Sequence, residues 1–127
     1  MIRQVGLSGL ALILGSVAAL AVDIDGRWAV IEEACGSAIR NNDAIVEVDT
    51  ASREIRYYES LCVIGEIQPI GNLGLAWRTS ETCSGEGQTW TSEVVYGLLQ
   101  PFDGTTDQLV SIKLSTGFVS VWYRCGK

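Results

Sequence analysis

The sequence predicts an all-β domain, a small antiparallel up-and-down barrel of about eight strands. Short runs of β-branched and aromatic residues recur along the chain, and clusters of Gly, Asn, Asp and Ser separate them. The 127 residues are 47% hydrophobic and 19% charged, which is typical of one globular domain rather than a disordered chain. So many short strands must hide their edges, and closure into a barrel does this most simply.

The first element is an apolar N-terminal segment, residues 1–21, in which Arg3 is the only charged residue. A basic start, an apolar middle and the triplet Ala19-Leu20-Ala21 indicate a signal peptide that is cleaved after Ala21. We therefore expect residues 22–127 to form one exported domain, periplasmic or secreted, without a stable membrane anchor after cleavage. The alternative is an uncleaved anchor, because the apolar run is at the short limit for a membrane span.

The strands are predicted in order from runs of Val, Ile, Tyr, Trp and Thr. They cover residues 26–31, 44–49, 54–59, 62–69, 73–82, 88–99, 108–115 and 117–125. The links between them carry turn residues such as Gly71-Asn72 and Thr116-Gly117. A short helix over residues 32–42 is the one expected exception to the all-β pattern.

Alternation of apolar residues predicts which face of each strand is buried. In the seventh strand, Val110, Ile112 and Leu114 alternate with polar residues and predict the buried face. The last strand is apolar on both faces, so its outer face needs a cover. The helix expected over residues 32–42 is the candidate for that cover.

The four cysteines are expected to form two disulfides, because an exported domain meets an oxidising environment and no Cys-x-x-Cys spacing indicates a metal site. A hairpin centred on Asn72-Leu73 pairs residues whose numbers add up to 145. This register places Cys62 opposite Cys83 and leaves Cys35 with Cys125. The pairing of Cys35 with Cys62 and of Cys83 with Cys125 stays open at this point.

The composition excludes several functions. Without any His, the chain has no Ser-His-Asp or Cys-His nucleophile and no His-ligated zinc or haem. An enzyme would have to use carboxylates alone, as glycosidases do, and the spacing of the acidic residues gives no support for such a pair. We therefore expect a non-enzymatic protein without a cofactor or metal. The net charge of −6 and the scattered basic residues disfavour nucleic acid and favour a cationic protein partner. We expect a monomer.

Two sets of residues are candidate binding sites. The loop formed by Ser84, Gly85, Glu86 and Gly87 bends tightly beside a cysteine and projects one carboxylate, which suits an arginine or lysine in a partner's cleft. The alternative is an ordinary hairpin turn with a solubilising Glu. The second set would line a pocket for a small apolar ligand, unless its members simply fill the core; it consists of Trp28, Trp77, Trp90 and Trp122.

The segment Gly26-Arg27-Trp28 resembles the G-x-W signature of calycin-type barrels, the group that includes the lipocalins. The resemblance implies that a basic residue of the last strand stacks on Trp28, and Arg124 occupies that place. The signal peptide, the small disulfide-linked barrel and the terminal Arg124-Cys125 also look like the small exported lysozyme inhibitors of bacteria. That resemblance implies inhibition of a periplasmic or extracellular hydrolase, lysozyme first.

Two other functions remain as alternatives. One is a lipocalin-like carrier of a small apolar ligand, which requires an open interior lined by the four tryptophans. The other is an envelope-associated interaction protein, which requires an exposed apolar stripe on the last strand around Trp122.

Overall fold

The structure is a computed structural model that describes residues 24–36 and 43–126, so the predicted signal peptide lies outside it. Eight strands form a closed barrel in which each strand pairs antiparallel with its neighbours in sequence, and the last strand pairs with the first. The prediction of an all-β up-and-down barrel is confirmed. The strands are β1 (Gly26–Ala29), β2 (Ile45–Asp49), β3 (Glu54–Arg56), β4 (Leu61–Pro69), β5 (Ala76–Gly85), β6 (Gln88–Leu99), β7 (Gln108–Lys113) and β8 (Val119–Cys125).

The strand order defines two ends of the barrel. The lower end carries the start of β1, the β2–β3 turn, and the β4–β5 and β6–β7 links. The upper end carries the β3–β4 loop, the β5–β6 turn and the β7–β8 turn. In the part of the chain that the structure describes, no helix has the length and apolar character needed to cross a membrane.

The β4–β5 hairpin has the predicted register only in its upper half. Residue numbers add up to 145 from the pair Leu61–Ser84 to the pair Ile64–Glu81. A bulge at Gly65 then inserts one extra residue into β4 and shifts every lower pair by one. The link between the two strands is also longer than predicted, because β5 begins at Ala76 rather than at residue 73.

The third strand is also shorter than predicted. It ends at Arg56 because the chain turns at once, with the Tyr57 amide donating to the Ser60 carbonyl at 2.9 Å. This early turn forms the β3–β4 loop at the upper rim.

The interior is filled by inward-facing side chains from all eight strands. The largest of them, Trp28 and Trp77, are almost fully buried. The residual cavity at the lower end has a volume of about 20 Å³, enough for about one water molecule. The buried core cluster consists of Trp28, Val46, Val48, Ile55, Cys62, Ile64, Trp77, Cys83, Val94, Tyr96, Leu98 and Leu109.

The predicted buried face of β7 is wrong. Leu109 faces the core, because it pairs with Trp122 on the inner face of β8. Val110 and Ile112 therefore face outward, where neighbouring strands half-bury them. Leu114 lies beyond the strand and is exposed.

The outer cover is a 3-10 helix, Glu32–Gly36, which occupies the first part of the segment where a short helix was expected. Residues 37–42 lie outside the described part of the chain. The helix packs Ala34 on Ala29 and Ile45 beside Cys125. Because Cys125 ends β8, the cover does not reach the beginning of that strand, where Val119 is 53% exposed.

Candidate functional site

The two disulfides have the pairing that the hairpin register predicts. Cys62 and Cys83 are joined at opposite positions of β4 and β5, and Cys35 is joined to Cys125. The alternative pairing is wrong. The two disulfides indicate an oxidising, extracytoplasmic environment. A carboxylate oxygen of Glu81 lies within 4.8 Å of both sulfurs of the Cys62–Cys83 disulfide. Because the two sulfurs are bonded to each other, they offer no thiolate to a metal.

The predicted loop is a two-residue turn at the upper rim. Gly85 pairs with Gln88, so Ser84 and Gly85 end β5 and only Glu86 and Gly87 form the turn. Their φ angles are 50° and 74°, as in a type I′ turn. Glycine adopts this conformation freely, whereas a side chain there costs about 1 kcal/mol. Glu86 is therefore held in a conformation that it does not favour.

Gly85 allows the β3–β4 loop to touch the end of β5. A Cβ atom at Gly85 would overlap the Glu59 carbonyl oxygen and would lie 2.9 Å from the Ser60 Cβ. Only glycine permits backbones to approach so closely. The Cys62–Cys83 disulfide lies just below this contact and joins β4, which follows the loop, to β5.

The contact brings two exposed carboxyl groups together, Glu59 from the β3–β4 loop and Glu86 from the turn. The pKa of Glu59 is raised, first by a hydrogen-bonding interaction with Glu86, then by desolvation and by the charge of Glu86. Two neighbouring carboxylates repel each other when both are ionised, and this repulsion favours the protonated form of Glu59. A cation from a partner would relieve that repulsion.

An open groove of about 680 Å³ adjoins this pair on the outside of the barrel. Arg27, Glu47 and Arg56 line one part of it, and the β3–β4 loop with Ser84 lines the other. The groove therefore carries charges of both signs and extends the surface that a partner could contact.

The four predicted tryptophans do not line one open pocket. Trp28 and Trp77 are buried in the core, and Trp122 is half-buried against it, with its ring 6.4 Å from the Tyr57 ring in an edge contact. Trp90 is 39% exposed. It lies opposite Cys83 on the inner face of β6, above the level at which the barrel closes.

Arg124 has the position that the G-x-W resemblance implies. Its guanidinium carbon lies 4.4 Å from the centroid of the Trp28 ring, and its Nε donates to Asp107 at 3.2 Å. The Trp28 Nε1 donates to the Ile24 carbonyl at 2.9 Å. This network closes the lower end, and the stacking prediction is confirmed.

A buried carboxylate lies between the two ends, at Glu81. Its Oε2 accepts hydrogen bonds from the Thr79 hydroxyl at 2.5 Å and the Tyr96 hydroxyl at 2.7 Å. Burial, and next the charge of Glu81, raise the pKa of Tyr57 to about 12. Burial is also the main reason that the pKa of Tyr96 is well above its ordinary value. Both phenols therefore stay protonated.

In comparisons with known proteins, no protein-family model, curated protein or solved structure matched the chain. The upper rim carries the candidate binding site of the protein. There, two exposed carboxyl groups are held together by a glycine contact, a tight turn and a disulfide.

Proposed function

We propose that this is an exported, non-enzymatic binding protein that captures a cationic protein through Glu59 and Glu86. A periplasmic or extracellular hydrolase, lysozyme first, is the preferred partner. The observation that supports this proposal is the close approach of the Glu59 backbone to Gly85, which brings the exposed side chains of Glu59 and Glu86 together; the pKa of Glu59 is raised accordingly. An arginine or lysine placed between them would remove repulsion and add attraction.

The rigid surroundings of the pair favour tight binding. The Glu86 turn is closed by strand pairing on both sides, and the Cys62–Cys83 disulfide holds its base. A preorganised loop loses little conformational freedom when a partner binds. The binding energy of the ion pair is therefore not consumed by ordering the loop.

The charge of the whole chain supports the same partner. A net charge of −6 attracts a basic protein at long range and accelerates the encounter. Capture should accordingly weaken with salt, since added ions screen exposed charges beyond about 10 Å at 0.1 M.

The filled interior favours surface binding over carriage of a ligand. A carrier needs space between its core side chains, whereas the cavity found at the lower end holds about 20 Å³. Trp28 and Trp77, which would line such a space, are packed at 0% and 2% exposure.

The test is inhibition of a panel of basic lysozymes by the purified exported protein. We expect Glu86→Gln and Glu59→Gln each to weaken inhibition by roughly tenfold, the effect of one lost charge-assisted contact. Glu66→Gln is the matched control, because Glu66 is an exposed carboxylate on β4 away from the rim. Lack of inhibition and binding across the panel, or equal inhibition by all variants, contradicts the proposal.

A further inference from the structure

The upper part of β6 has a strand neighbour on one side only. Residues 88–92 pair with β5, but the pairing of β6 with β7 covers only residues 94–99. Among the described strands, none pairs with the other side of residues 88–92. These residues are exposed, apart from the half-buried Ser92. We call this segment the upper β6 edge.

The backbone groups on this edge can be assigned. The Glu93 carbonyl accepts a hydrogen bond from the Leu114 amide at 2.9 Å, so the backbone groups of Glu93 face the β7 side. In an antiparallel strand, residues two apart point their N–H and C=O groups to the same side. Those of Thr89 and Thr91 therefore face the open side, where no described strand pairs with them.

The upper β6 edge lacks the usual protection against strand pairing. Open edges are normally blunted by charges, prolines or bulges. The lower half of β4, which extends past the short β3, has all three in Glu66, Pro69 and the bulge at Gly65. By contrast, the upper β6 edge is neutral and consists of Gln88, Thr89, Trp90, Thr91 and Ser92.

We propose that the upper β6 edge binds an extended basic segment of the partner by β-strand addition. Thr89 and Thr91 would supply the main-chain hydrogen bonds, and the exposed Trp90 would supply the side-chain anchor. The edge ends at the turn that carries Glu86, so a basic side chain at that end of the added strand lies toward the Glu86 carboxylate. This inference rests on the proposed function, because it specifies how the partner is held.

Charge favours a basic segment over a second copy of this chain. The carboxyl pair at the end of the edge already repels negative charge, and each copy carries a net charge of −6. In a dimer formed through two such edges, the Glu86 turns would lie at the ends of the new sheet, and the negative charges of the two copies would repel each other. A basic strand places opposite charges there instead.

The probe is a synthetic peptide of alternating lysine and valine, five residues long, with a glutamate–valine peptide as its control. Thr91→Pro removes an amide that faces the open side and leaves the pairing with β5 intact. Thr91→Ala is the matched variant that keeps the amide. Peptide affinity and amide exchange are measured by NMR, with a thermal melt of each variant to show that it is folded.

We expect the lysine peptide to bind wild type and Thr91→Ala and to slow exchange of the Thr89 and Thr91 amides by roughly tenfold or more. Thr91→Pro should bind at least about tenfold more weakly. The glutamate peptide should not bind. The exchange measurement on wild type tests the edge even if the proline variant does not fold.

Four results would overturn edge binding. They are absence of lysine-peptide binding, unchanged exchange of the Thr89 and Thr91 amides in the complex, equal affinity of a folded Thr91→Pro variant, and a dimer that protects both amides without peptide.

The two proposals can fail separately in the lysozyme assay. If Glu86→Gln weakens capture and folded Thr91→Pro does not, the role of the Glu59–Glu86 pair is supported and strand addition is wrong. If Thr91→Pro weakens capture and Glu86→Gln does not, the edge is upheld and the role of the acid pair is wrong.

Discussion

The two ends of the barrel differ in how their charged side chains are paired. At the lower end, Arg124 is buried, stacks on Trp28 and donates to Asp107, so each charge has a partner. At the upper end, Glu59 and Glu86 have the same sign, and neither forms a salt bridge within the described residues. Charges that are paired within the protein stabilise its fold. Two exposed carboxylates that repel each other lower the stability of the free protein, and a cationic partner would relieve that repulsion.

The ends also differ in how their edges are treated. The open edge of lower β4 is bulged and ends at Pro69, which prevents further pairing. The open edge of upper β6 is neutral, straight in its pairing with β5, and carries Trp90. The chain therefore protects one edge and leaves the other available, and the available edge adjoins the turn that carries Glu86.

The largest expected effect is at the lower end. Arg124→Leu leaves Asp107, with a side chain 16% exposed, without its guanidinium partner. Removal of one partner of a buried ion pair lowers the unfolding free energy by about 3–5 kcal/mol. The measurement is urea denaturation of the variant and of wild type. Lysozyme inhibition by the folded variant should be unchanged. If the unfolding free energy falls by less than about 1 kcal/mol, the Arg124–Asp107 pair contributes no more than an ordinary surface salt bridge. The two ends would then not differ as described.

The next effect tests how the upper rim is assembled. Gly85→Ala forces the Glu59 backbone away, and overpacking of this kind costs about 1–3 kcal/mol of unfolding free energy. It also separates the two carboxyl groups, so the pKa of Glu59, followed by NMR titration, should return toward its ordinary value. Gly97→Ala is the control, because a Cβ there meets nothing within 4 Å. A raised pKa of Glu59 that survives in Gly85→Ala would show that the glycine contact does not create the pair.

A smaller effect separates strain from charge at Glu86. Asn tolerates the left-handed conformation, so Glu86→Asn should raise the unfolding free energy by about 0.5–1 kcal/mol while weakening inhibition. Glu86→Gln loses the charge but keeps the strained backbone, and it serves as the comparison. Equal stability of the two variants in a thermal melt would show that the turn costs nothing.

The sequence was sufficient wherever one local rule determined the structure. Strand lengths and turn residues indicated eight strands, and one register relation placed Cys62 opposite Cys83. The same register pairs Glu81 with Ile64, an inward-facing residue, so the burial of Glu81 could have been predicted from the sequence. The buried face of β7 could not be predicted in the same way. Leu109 and Val110 are adjacent and both apolar, so alternation alone does not decide which of them faces the core.

The acid pair could not be predicted from local patterns. Glu86 stood out because it lies between two glycines, but Glu59 reaches it only because the β3–β4 loop crosses Gly85. That crossing depends on how early β3 ends, and the sequence pattern extended β3 to residue 59. Contacts between two loops depend on the ends of strands, where periodicity gives the least information.

The smallest expected effect is the pH dependence of stability. The pKa of Glu59 is raised above the ordinary value of 4.5, so the folded state holds this proton more tightly than the unfolded state. Its stabilising contribution is complete below that ordinary value and is lost as pH rises through the raised pKa. Removing the neighbouring charge in Glu86→Gln should therefore stabilise the protein relative to wild type at neutral pH, with little difference at pH about 3. The measurement is a thermal melt of both proteins across this range, with Glu66→Gln as control. A difference that does not change with pH would show that the two carboxyl groups do not interact in solution.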